Sequence, residues 1–236
     1  MSRRFTRKLF CALLLIHGAA VRAAEPETFE AYDSPLADAP RVAVYDDYGA
    51  SSESVRSFKM FLQHHNYSYV TVNAKTVLSG VLNPAVHTFF YMPGGGSMRL
   101  GSLLGPRGAS LIMKYVENGG GYLGICAGAF YAAARAEGIS DTTHKRDVYP
   151  LGIGLFDGIA VDGTQLGEPG FKNGLVDFEL TVPRNGVKDF KGLLIGGPGF
   201  RYEQAFAQSH QLRVWATFKL ARLPAVISYR YGRGRV

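Results

Sequence analysis

The polar and apolar positions of this chain fall into two regimes. In the first half, short apolar runs rich in β-branched and aromatic residues alternate with stretches of helical period. Arg41-Val-Ala-Val-Tyr-Asp46 predicts a buried strand. Asp47-Tyr-Gly-Ala-Ser-Ser follows, with Ser51 or Ser52 suited to cap a helix. Val55, Phe58, Phe61 and Leu62 then recur at helical spacing. Tyr69–Asn73 and Thr88–Met92 predict a second and a third strand, the latter running into Pro93-Gly-Gly-Gly96. Leu111, Ile112, Tyr115 and Val116 line one face of a helix stopped by Asn118 and Gly119 to Gly121. Tyr122–Cys126 predicts a fourth strand, and Ala127–Ala136 a helix after it. Strand and helix in alternation imply a parallel sheet covered on both faces.

The second half reads differently. Val176, Phe178, Leu180 and Val182 alternate with Asp177, Glu179 and Thr181, and Val214, Ala216 and Phe218 alternate with Trp215 and Thr217. Period-two alternation marks strands with one wet face, so antiparallel strand additions are expected here. Ala225–Tyr231 predicts a further strand, and Gly232 and Gly234 a turn leading into another. No internal repeat or low-complexity tract interrupts the pattern.

Before residue 41 the pattern changes character. Arg3, Arg4, Arg7 and Lys8 precede an apolar stretch from Leu9 to Val21, and Val21-Arg22-Ala23 offers small residues for cleavage. This predicts a signal peptide over 1–23. The alternative is a membrane anchor, for which the run falls short of the roughly 20 apolar residues that span a bilayer. Residues 24–40, rich in Ala, Pro, Asp and Glu, predict a linker, and residues 41–236 one domain. The mature protein is expected to be exported, periplasmic or secreted, with no stable membrane insertion. Of 236 residues, 47% are hydrophobic and 19% charged, an ordinary globular balance. Residues 1–23 carry five positive charges and no acid, so their removal lowers the formal net charge from +7 to +2. The basic balance therefore says little about nucleic acid, and no basic run with interleaved aromatics suggests it.

The cysteines sharpen the picture. Cys11 lies in the predicted signal, which leaves Cys126 as the lone thiol of the mature chain. It is either a small buried hydrophobe or a reactive group. Gly124-Ile-Cys126-Ala-Gly128 between a strand and a helix has the shape of a nucleophile elbow. Glycines two residues to either side let neighbouring backbone approach. A thiol at the start of a helix is favoured as thiolate, the nucleophilic form. Pro93-Gly-Gly-Gly96 is placed to aim the N–H groups of Gly95 and Gly96 at a developing oxyanion, beside that of Ala127. Alternatively, it is a flexible turn.

These stretches, with Tyr115-Val-Glu-Asn-Gly-Gly-Gly-Tyr-Leu and Val44-Tyr-Asp-Asp-Tyr-Gly-Ala-Ser, resemble the N-terminal domain of eukaryotic biotin–protein ligases. That domain also occurs in stand-alone bacterial proteins and belongs to the class I glutamine amidotransferase-like superfamily. The resemblance covers nearly all of residues 41–236. It implies an α/β fold with a flavodoxin-like parallel sheet, and an acyl-transfer nucleophile at Cys126. Three departures stand out. Phe130 occupies the position where glutamine-hydrolysing relatives carry Gln, and Ala127 the position where PfpI-type proteases carry His. The His and Glu of the superfamily's triad follow a stretch similar to Tyr231–Val236, where this chain stops. The resemblance therefore implies either a domain truncated at its C-terminus, with the strand after Gly234 unmade, or a protein that has lost its base.

Other side chains offer weaker chemistry. His144 and His210 lie in polar stretches, and His64-His65 end a predicted helix. Asp46-Asp47 either line a pocket or cap the following helix. Gly196-Gly-Pro-Gly199 is either a second lip of the cleft, with Tyr202 and Glu203 contributing, or a plain turn. No metal-ligand spacing is present, and nothing calls for a cofactor. Two functions fit: a cysteine-dependent hydrolase or amidotransferase-like enzyme, and a catalytically silent binding domain. In both, the partner is a small-molecule ligand or substrate above Cys126.

Overall fold

The computed structural model describes residues 41–139, 146–163, 166, 173–184 and 186–236. The predicted signal, the linker and His144 lie outside them. The first sheet holds β1 (Arg41–Tyr45), β2 (Tyr69–Val72), β3 (His87–Met92) and β4 (Gly121–Gly124). They run parallel in the order β2-β1-β3-β4. β14 (Gly234–Arg235) adds to β4 in parallel, and β13 (Arg230–Tyr231) pairs antiparallel with β14. This is the flavodoxin-like order.

Four helices cover the sheet: α1 (Ser52–His64), α2 (Ala74–Leu78), α3 (Ser97–Glu117) and α4 (Ala127–Ala132). The apolar strands explain both layers. Val42, Val44, Phe89 and Tyr91 point to one face and bury against Val55, Phe58, Phe61 and Leu62 of α1. Ala43, Tyr45, Phe90 and Met92 point to the other and pack with Val77, Leu100, Ile112 and Tyr131. Each large side chain so buried contributes about 1.5–3 kcal/mol. Continuous apolar strands thus follow from burial on both faces. Gly105, at φ 55° and ψ −168° before Pro106, breaks α3 into two segments.

Two smaller sheets follow among the described residues. β5 (Ala133–Ile139), β6 (Arg146–Pro150), β7 (Phe156–Val161) and β10 (Gly199–Arg201) form one. β8 (Asn173–Arg184), β9 (Val187–Ile195), β11 (Arg213–Phe218) and β12 (Pro224–Ser228) form the other, which is antiparallel throughout. α5 (Gln204–Ser209) packs Phe206 against Phe156 and Tyr229. The alternating segments of the second half are therefore the antiparallel additions that the pattern predicts.

Two expectations are corrected. The predicted helix over Ala127–Ala136 ends at Ala132, and Ala133 opens β5 with φ −75° and ψ 146°. Alanine favours helix locally, but the backbone after β6 competes. The Ile153 N–H donates to Tyr131 O at 2.8 Å and the Leu151 N–H to Ala134 O at 3.1 Å. Those carbonyls therefore serve amides of the segment between β6 and β7, and pairing with β6 and β7 overrides propensity. The strand after the Gly232–Gly234 turn is also present, as β14, with Arg235 opposite Gly121. Gly234 is wedged there: a Cβ would lie 2.0 Å from Val116 O and 2.2 Å from Gly120 O.

Candidate functional site

The chain turns at Cys126, between the end of β4 and the start of α4. Its backbone sits at φ 53° and ψ −111°, a conformation that L-residues rarely adopt. The flanking glycines are required sterically. A Cβ on Gly124 would lie 2.5 Å from Gly128 O, and one on Gly128 would lie 2.1 Å from Met92 O. The turn is tied to the end of β3, with Ile125 N–H donating to Met92 O and Gly128 N–H to Pro93 O. Cys126 is half-buried, and its Sγ donates to Ile195 O at 3.4 Å.

Two glycine loops flank the sulfur. In the first, the Gly94 N–H donates to Ser54 Oγ at 2.9 Å, and a Cβ on Gly94 would sit 3.4 Å from Cys126 Cβ. Gly95 is exposed at φ 141°, with Gly49 O where a side chain would begin. The Gly96 N–H donates to Gly49 O at 2.9 Å. Gly96 is therefore not a free oxyanion donor, because the loop is held by that bond. The N–H groups of Gly95 and Ala127 have no hydrogen-bond partner among the described residues. The second loop, Gly196-Gly-Pro-Gly199, follows β9. A Cβ on Gly197 would approach Cys126 Cα to 4.0 Å, so this loop lies against the thiol turn.

The other candidates have structural partners. Asp47 Oδ2 accepts from Ala74 N–H at 2.9 Å and so fixes the start of α2, while Asp46 pairs with Lys59. His210 stacks on Phe206 with ring centroids 4.2 Å apart. Tyr202 packs edge-on to Phe156, and Glu203 is the residue before α5. No imidazole or carboxylate is bonded to Sγ among the described residues. They contain no group of three or more His, Cys, Asp or Glu able to hold a metal ion, and no helix long and apolar enough to cross a membrane. An open groove of about 1160 Å³ runs along the broken α3, lined by Gly101, Gly105, Pro106, Tyr131, Ile153 and Tyr231; Cys126 is not part of it.

Three site residues escape sequence reading. Ser54 bridges the Gly94 N–H and the Tyr91 hydroxyl, 3.0 Å away. Tyr91 is buried beneath the elbow. Burial pushes its hydroxyl up to about 12, against the Ser54 hydrogen bond, and the neighbouring Cys126 adds to the rise. Ile195 reaches the sulfur through its carbonyl, which no side-chain pattern announces.

The fold and this turn define a flavodoxin-like α/β domain with a strained cysteine at a strand-to-helix elbow. The chain belongs to the family of the biotin-protein ligase N-terminal domain, whose model matches residues 40–174. It is also similar to an uncharacterized protein of Chlamydia muridarum, 29% identical over 128 residues. That match covers 51% of this chain and 48% of the relative, so the chain spans about half the length of the curated relative it matches. Among solved structures, a glutamine amidotransferase from Thermotoga maritima is 12% identical with a TM-score of 0.49, over 83% of this chain and 73% of that one.

Proposed function

We propose that the cleft above Cys126 binds a small carbonyl compound and that the thiol attacks it. Sγ would form a bond to the carbonyl carbon of an amide or related group. The amine would leave with a proton, and water would then cleave the thioester and restore the thiol. The N–H groups of Gly95 and Ala127 are the available donors for the developing oxyanion. The observation that carries this reading is the Cys126 backbone. A non-glycine residue at φ 53° and ψ −111° costs about 1–3 kcal/mol, and such strain concentrates at functional sites.

One observation favours a second reading. Sγ donates to a carbonyl, and no imidazole or carboxylate is bonded to it among the described residues. That arrangement suits a domain that binds its ligand without turning it over. Intact-mass analysis after incubation with a panel of amides and activated esters separates the two. Turnover predicts an acyl adduct on Cys126, with amine release that Cys126→Ser abolishes. If no adduct forms and ligands raise the melting temperature of wild type and Cys126→Ser equally, the protein is a binding domain.

We further propose that the chain is exported, to the periplasm or beyond, with residues 1–23 as its removed signal. The charge and apolar pattern of that segment supports this. N-terminal sequencing of the protein recovered from its compartment tests it: a start near Ala24 is expected, and an intact Met1 would refute removal.

A further inference from the structure

Among the described residues, β9 is an edge strand of the antiparallel sheet, and β8 is the strand it pairs with. A free edge presents a row of unpaired backbone N–H and C=O groups, which proteins commonly blunt or cover. This one is nine residues long and carries no proline. Its outer face alternates Val187, Asp189, Lys191, Leu193 and Ile195. Val187 and Leu193 are 47% and 46% exposed, and Ile195 61%. Asp189 and Lys191 make intrachain ion pairs with Lys219 and Asp177, and all four of these side chains remain about half exposed or more. Such exposed pairs are weak enough to be shared or exchanged.

The order of these residues is self-complementary. Two copies of β9 related by a two-fold axis through Phe190 would pair antiparallel. Asp189 would then face Lys191 of the second copy, and Lys191 its Asp189. Val187 and Leu193 would face each other in the same two-fold manner. Shifting the axis by one residue destroys the match. Centred on Lys191, two lysines oppose each other; centred on Asp189, two aspartates do. Directly opposed like charges destabilise a ladder, whereas opposite charges and apolar pairs support it. A slip that exchanges faces would bring the buried Leu194 outward.

We propose that this face takes a second copy of the same chain, joined edge to edge through β9 in the register centred on Phe190. The interface is isologous and therefore closes as a dimer rather than growing into a fibre. The second copy's Gly186 would lie opposite Leu194, one residue from Ile195, whose carbonyl accepts from Cys126 Sγ. The proposal rests on the edge and not on any chemistry of the thiol.

Charge exchange tests it. Light scattering of the eluting protein, over a concentration series, should give twice the mass of one chain. Asp189→Lys and Lys191→Asp should each elute as monomers, since each sets like charges against like across the axis. Mixing the two variants in equal amounts should restore the dimer, because each then meets its opposite. Restoration on mixing also shows that both variants are folded. A wild-type protein that stays monomeric at every concentration overturns the proposal, as does a dimer insensitive to both reversals.

Discussion

At the scale of the residue, Cys126 is where sequence and strain meet. Its backbone angles suit glycine, so Cys126→Gly should relieve strain while Cys126→Ala should not. Glycine also adds unfolded-state entropy, so the net gain should be about 1 kcal/mol. Thermal melts of the two variants check this; equal melting temperatures would mean the turn is unstrained. The half-exposed thiol should react with iodoacetamide in the native protein, and protection until unfolding would close the cleft to ligands. Gly95→Ala should weaken both stability and ligand binding, because its Cβ would start 2.0 Å from Gly49 O. The Gly-x-Cys-x-Gly spacing was legible because each glycine answers a steric demand within a few residues. Ser54 was not. Its bond to the Gly94 N–H joins positions 40 residues apart, and no local pattern encodes that contact.

At the scale of the element, caps and propensities decide some boundaries and lose others. Ser51 Oγ accepts the Ser54 N–H at 3.3 Å and caps α1, the first of the two serines that the sequence offers. Ser51→Ala should cost about 1 kcal/mol in a denaturant titration. The end of α4 followed another rule. Residues 127–136 look helical by composition, yet the carbonyls of Tyr131 and Ala134 accept from Ile153 and Leu151. Gly152 permits that approach, since a Cβ there would lie 2.1 Å from Tyr131 O. The donating loop between β6 and β7 lies far downstream, so a local reading of propensity has no access to it. Parallel strands were easier to read, because burial on two faces leaves a continuous apolar run in the sequence.

At the scale of the whole molecule, the buried tyrosines couple the two faces of the first sheet to pH. Tyr91 and Tyr131 are each raised from 10.0 to about 12, chiefly by burial, and Tyr122 and Tyr229 rise by the same cause. A phenol whose folded value is raised stabilises the fold fully below its unfolded value. That contribution is lost as pH climbs from the unfolded value through the folded one. The domain should therefore lose stability as pH rises from about 10 towards 12, and where the fold gives way it should do so cooperatively. Phenolate absorbance should appear in the same step as the loss of circular dichroism; gradual titration of the native protein would contradict the burial.

What the sequence determined by itself was local: strands by period, one helix cap, and the glycine-framed turn that holds the thiol. Each depends on neighbours along the chain, where sterics and burial leave a periodic or positional mark. The tertiary structure alone decided that the Gly96 amide is occupied, that Ala133 begins a strand, and that a backbone carbonyl from β9 meets the sulfur. These depend on which distant backbone groups find each other, and a carbonyl looks the same on every residue.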